Sequence, residues 1–203
     1  MSTLTIAVDP GKNGGIAARK DDGEATAYKM PDTTIGLVNL IETLCINVPI
    51  PGRCAYVENV GFHQHGNAAQ ASVKLAKQVG ELHGVLAAFR FKIVTVNPAK
   101  WEHAFIGAPP PAPKPADYGG VKKKVEAAKR RFRTTRKNMI KNKAQQLFPE
   151  LRVTLHISDA LGMLMVCTGA LNVPKPCTMR ESLTNRKRYA KAKTKIPGQA
   201  KRN

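Results

Sequence analysis

The sequence predicts a mixed α/β fold, with a central sheet of three sequential antiparallel strands followed by parallel strands, flanked by helices. Three observations predict it. The first thirty residues contain three short β-rich runs separated by turn signals. Beyond them, stretches with apolar residues at helical spacing alternate with further β-rich runs. The chain has 203 residues, enough for one compact domain of about 150 residues plus appendages.

Leu4-Thr5-Ile6-Ala7-Val8 is the first strand, ended by the turn Asp9-Pro10-Gly11. Ile16–Arg19 follows Asn13-Gly14-Gly15, and Asp21-Asp22-Gly23 turns the chain into Ala25–Tyr28. Pro31–Thr34 starts a helix carrying Leu37, Leu40, Ile41 and Leu44, and Pro49, Pro51 and Gly52 stop it. Cys54–Glu58 is a short buried strand, and residues 61–67 form a polar, Gly-bounded loop. Val73, Ala76, Val79, Leu82 and Leu86 mark a long amphipathic helix over 68–89. Lys92–Val96 is the next strand, closed by Asn97-Pro98. Residues 107–120 are a Pro/Gly linker, and a basic run over 121–143 leads into a helix at Ala144–Phe148, stopped by Pro149. Ile157–Leu171 is a strongly apolar helix. The expected order is therefore βββ-α-β-α-β, a linker, then α-α. Residues 1–174 are expected to form the domain, with an insertion over 107–143. Residues 175–203 have no periodic apolar face and are expected to be a disordered basic tail.

Charge narrows the partner class. The formal net charge is +19, from 33 Lys and Arg against 14 Asp and Glu. Residues 122–143 hold eleven basic groups and one acid, residues 175–203 hold ten and one, and the remainder balances at zero. Cationic excess confined to segments points to a polyanionic partner, above all nucleic acid. No apolar run is long enough to span a membrane, and the N-terminus lacks the pattern of a secretory signal. Cys45, Cys54, Cys167 and Cys177 form no CxxC pair and read as reduced thiols, so a cytoplasmic location is expected. A zinc site using His63 or His65 lacks a ligand pair at the usual spacing.

Most acids sit where solvent is expected: Asp21, Asp22 and Glu24 in a hairpin, Asp32 near a cap, Glu81 and Glu102 on polar faces. Three do not. Asp9 ends a buried strand, Glu58 ends the apolar strand CAYVE, and Asp159 lies at the most apolar helix. Singly, each has a bland explanation as a turn residue, an exposed strand end or an N-cap. Jointly they ask for a shared divalent cation, because a carboxylate among apolar neighbours is costly unless paired or metal-bound. His156 and Asp159 are spaced i, i+3 and would face one way on a helix.

The segments IAVDPGKNGGIA, YVENV, SVKLAKQVGELHGVLAAF and HISDALGMLM together resemble the RuvC family of Holliday junction resolvases. The nearest likeness is to phage-type members of this branch of the RNase H-like superfamily. It spans roughly residues 3–106 and 136–171, and the ordered set DPG–VE–HxxDA carries it. The resemblance implies an RNase H-like fold and Mg²⁺-dependent, homodimeric cleavage of branched DNA. It places catalysis and metal binding on Asp9, Glu58, Asp159 and, at a position that is acidic in some members, His156. Two Mg²⁺ ions about 4 Å apart serve the attacking water and the leaving oxygen in such chemistry. On this reading Asp9 bridges the ions, Glu58 holds one and Asp159 the other. His156 completes the second site or orients the water, and an imidazole ligand makes Mn²⁺ an expected substitute. No small-molecule cofactor is expected.

The expected DNA contacts are Phe62, stacking on an unpaired base from a loop where the family carries an aromatic one residue nearer the Glu, and Lys74 and Lys77 on the long helix. Arg130, Arg131, Arg133, Arg136 and Lys137 are expected on phosphates, since their mutual repulsion disfavours order without an anion. Lys143 is expected near the cleaved phosphate. Paired nicks in a four-way junction require two centres, which a two-fold dimer supplies, with helix 68–89 as the surface suggested by analogy. The Pro-rich basic insertion and the tail depart from the family. Competing readings are a broader flap or fork nuclease, a non-catalytic basic nucleic-acid binder and an ATP-binding kinase-like domain. The acid set argues against the binder, and the kinase-like reading lacks a second half and a later phosphate loop.

Overall fold

A computed structural model describes residues 2–21, 23–61, 69–108 and 111–170. Its five strands are β1 (Leu4–Asp9), β2 (Gly15–Lys20), β3 (Ala25–Lys29), β4 (Arg53–Glu58) and β5 (Lys92–Val96). They form one sheet in the order β3-β2-β1-β4-β5. β1 pairs antiparallel with β2, as β2 does with β3, whereas β1 and β4, and β4 and β5, are parallel. This is the mixed sheet that the sequence predicts, three antiparallel strands followed by parallel ones.

The helices are α1 (Thr34–Cys45), α2 (Ala69–Ala88), α3 (Pro98–Ile106), α4 (Lys122–Leu147) and α5 (Ser158–Cys167), with short 3₁₀ turns at Ile50–Gly52 and Pro115–Tyr118. Strand alternation sorts the core into two layers. Leu4, Ile6, Val8, Ile16, Ala55 and Val57 bury against Leu37, Ile41 and Leu44 of α1 and Leu82, Val85 and Leu86 of α2. On the other side Ala7 and Ala17, small enough to admit a helix closely, underlie α5, which packs with Trp101, Phe105, Ile140 and Ala144. No described helix is long and apolar enough to cross a membrane.

Four local expectations are corrected. Pro98–Ile106 is a helix where none was expected: Asn97 Oδ1 accepts from Lys100 N–H, and Pro98 occupies the first turn, where its missing N–H costs nothing. The basic run does not merely precede a short helix, and repulsion does not break it, because α4 is continuous over 26 residues. Lys and Arg are good helix formers, and buried Val125, Ile140 and Ala144 anchor the helix at both ends. The apolar stripe of α2 is buried only in its C-terminal half, since Val73 is 69% exposed. The last helix stops at Cys167 instead of Leu171, which lies outside the described residues, as do Phe62 and the 175–203 tail. Cys45, Cys54 and Cys167 are free thiols, as expected.

Candidate active site

Asp9 and Glu58 end adjacent parallel strands. The β1–β4 register reaches Val8 opposite Val57, so the next residue on each strand is the acid. Both lie on the sheet face covered by α3, α4 and α5, opposite the face that buries Val8 and Val57. A side chain at Gly14 would run into the Asp9 carbonyl, so glycine there lets the 10–14 turn fold back over the strand end. Asp159 enters from the first turn of α5, where the helix dipole favours a carboxylate. It is not the N-cap, which is Ile157, and its Oδ1 accepts from Ser158 Oγ at 3.2 Å.

The electrostatics tie the three acids together. Burial, then the charges of Glu58 and Asp159, push Asp9 up from 3.8 to about 8. Glu58 is also raised by burial and by Asp159, with hydrogen bonds from Asp9 and Trp101 opposing. Burial and their mutual charge thus both work against ionising Asp9 and Glu58 together. Burial raises Asp159, and Lys137, Ser158 and Arg136 oppose the rise. Among the described residues no three His, Cys, Asp or Glu side chains stand close enough to close on an ion by themselves. The expected four-ligand convergence is therefore reduced to a contacting pair, Asp9 and Glu58, with Asp159 in electrostatic reach. The donor set still fits Mg²⁺, which takes hard oxygens, keeps several waters and is held by one or two carboxylates plus substrate phosphate. A buried pair of carboxylates is also a site where a divalent cation relieves repulsion.

His156 does not sit on α5 beside Asp159 but in the turn before it, where its ring hydrogen-bonds the turn over Asp9. A carbonyl only accepts, so His156 Nδ1 donates to Asn13 O at 2.8 Å, and Nε2 is the ring nitrogen outside that bond.

Two further residues join the site, one unnamed above and one placed there on a polar face. Trp101, 1% exposed, donates its indole N–H to Glu58 Oε1 at 3.3 Å. Gly162 of α5 makes room for it, because a side chain there would press on Phe105 and Trp101. Glu102 is not a bland surface acid. Burial raises it, Glu58 and Asp159 add to the rise, and Arg136 Nη1 holds it at 3.2 Å. The spacing Asn97-Pro98, Trp101, Phe105 was the available signal for both, because once α3 is a helix it brings Trp101 and Glu102 to the strand ends.

The basic candidates divide. Lys137 lowers Asp9, Asp159 and Glu102, and Arg136 bridges Glu102, so both stand at the acid cluster. Arg130, Arg131 and Arg133 are exposed farther along α4. The Lys143 ammonium lies 5.4 Å over the Phe105 ring. Lys77 pairs with Glu81 at 3.8 Å on α2, and Lys74 lines a groove with Pro10, Gly11 and Lys12 beside the Asp9 turn.

No protein-family model matches the chain, and no curated protein matches it. Among solved structures, Thermus thermophilus RuvC aligns at a TM-score of 0.44 and 16% identity, covering 83% of this chain and 95% of that one. T. thermophilus RuvC in complex with Holliday junction substrate aligns at 0.45 and 14% identity, covering 83% and 94%.

Proposed function

We propose that this protein is a divalent-metal-dependent endonuclease that nicks branched DNA, with four-way junctions as its substrate and a two-fold dimer as its working form. The observation that carries the reading is the meeting of Asp9 and Glu58 at adjacent strand ends, with Asp159 and the cations of α4 alongside. A protein that only binds DNA gains nothing from buried carboxylates facing a phosphate. The ordered motif set DPG–VE–HxxDA supports assignment to the phage-type branch of the RuvC family.

Asp9, Glu58 and Asp159 would hold Mg²⁺ or Mn²⁺, and His156 would join through Nε2. When bound, a pair of such ions supplies Lewis acidity for both the attacking water and the departing oxygen. The chain supplies the rest. Trp101 holds one Glu58 oxygen and thereby sets where the other points. Asn13 O holds the His156 ring through Nδ1, so Nε2 is the nitrogen left for that ligand role. Lys137 and Arg136 offset charge that builds on the phosphate.

The test is nicking of a synthetic four-way junction with Mg²⁺. Wild-type protein introduces nicks in opposed strands, and Asp9→Asn binds the junction without cutting it. Near-wild-type cutting by that variant overturns the assignment. Parallel assays on three-way and flap DNA separate a junction resolvase from a broader branched-DNA nuclease.

A further inference from the structure

The Pro-rich insertion builds a second groove, on the N-terminal half of α4. Pro111 and Pro113 stiffen the chain ahead of the 3₁₀ turn at Pro115–Tyr118, where Asp117 Oδ2 accepts from Lys114 N–H at 2.8 Å. Gly119 and Gly120, at φ 60° and 74°, then turn the chain into α4 through a conformation that favours glycine. Tyr118 is thereby laid against the α4 face bearing Lys124, Ala127, Ala128, Arg131 and Phe132, residues three and four apart on one side of the helix.

The groove between these walls encloses about 690 Å³. Small side chains, Ala112 with Ala127 and Ala128, leave the space open, and Tyr118 and Phe132 supply aromatic rings. Lys114, Lys124 and Arg131 supply three positive charges against the single acid Asp117. A segment that served only to pack the insertion would close this space with apolar side chains. We infer that the groove binds unpaired nucleotides of a DNA strand, with bases stacking on Tyr118 and Phe132 and phosphates meeting Lys114, Lys124 and Arg131. Cations interleaved with aromatic rings are what single strands require, because every base has a stacking face. The volume suits a small ligand and is too small for a duplex. The inference rests on the nuclease reading, since such a strand would be the one opened at a branch point.

The experiment uses the full chain in EDTA, with a short fluorescein-labelled oligo(dT) and an abasic strand of equal length. Stacking is worth about 1–3 kcal/mol per base, so wild-type protein is expected to prefer oligo(dT) by about 5- to 150-fold. The double variant Tyr118→Leu, Phe132→Leu, which keeps the groove apolar, loses that preference. Photo-crosslinking of a 5-iodouracil strand to wild-type protein maps to Tyr118 or Phe132, a readout independent of how the variant folds. Equal binding of the two strands, crosslinks confined to other segments, or equally effective displacement by a poly-glutamate peptide each overturns the inference. Failure of the nuclease reading is seen separately, as absent Mg²⁺-dependent nicking by the same preparation.

Discussion

Val8 and Asp9 are neighbours in sequence and belong to different parts of the molecule. Val8 faces α1 and α2 with Leu4 and Ile6, in a layer whose buried groups are almost wholly apolar. Asp9 faces α3, α4 and α5, where Ala7 and Ala17 give way at the strand ends to Glu58, Trp101, Asp159 and Lys137. One sheet thus separates a layer that holds the fold from a layer that carries charge. The lesson is that stability and chemistry are divided by strand alternation, and each side is expected to answer a different perturbation.

The largest expected effect is on the charged side. Asp9→Asn should reduce junction nicking about a thousandfold or more, the several kcal/mol that metal charge stabilisation supplies. Gel assays under single-turnover conditions measure it. Ile6→Ala, on the apolar side, should cost about 2–5 kcal/mol of stability by denaturant titration. Its cutting rate per folded molecule should be preserved, and a rate loss as large as that of Asp9→Asn would break the comparison.

The charged side should also carry a pH signature. Asp9 holds its proton up to about 8 in the folded protein, against 3.8 ordinarily. The unfolded chain releases that proton near pH 4, so folding takes up a proton between pH 4 and 8. Stability of the metal-free protein then falls as pH rises through this window, by up to about 1.4 kcal/mol per pH unit. Thermal melting in EDTA between pH 5.5 and about 8 measures the slope. Asp9→Asn should flatten it, and Mg²⁺ should oppose it by taking the proton's place.

Smaller effects sharpen the picture. Trp101→Phe keeps the ring and removes the hydrogen bond to Glu58, so Mn²⁺ affinity by calorimetry should fall about 10- to 100-fold. Two lysines make the finest comparison. Lys77 is paired with Glu81 on its own helix, whereas Lys137 acts on acids of other elements. Lys137→Ala should weaken junction binding and reduce the salt slope by about one unit, and Lys77→Ala should change either by much less.

Much of this was legible in the sequence. Every strand, α1 and the extent of α2 follow from alternation, helical spacing and turn residues. Asp9, Glu58 and Asp159 stood out because acids at the ends of apolar elements need a partner. Trp101 and Glu102 did not stand out, because their roles depend on α3 forming and on α3 reaching the strand ends. The Lys143 ammonium over Phe105 was not legible either, because it depends on α3 packing against α4.

Local physics set by neighbours in the chain therefore determined which segments are strands or helices and which acids were out of place. Only the tertiary structure decided that Asp9 and Glu58 stand side by side, that Trp101 braces one of them, and that α4 is a single helix bringing Arg136 onto Glu102 and the charge of Lys137 to bear on the acids. Those outcomes depend on interactions between residues 22 to 150 positions apart. No period or spacing in a sequence encodes such distances, which are fixed when the two layers close on the sheet.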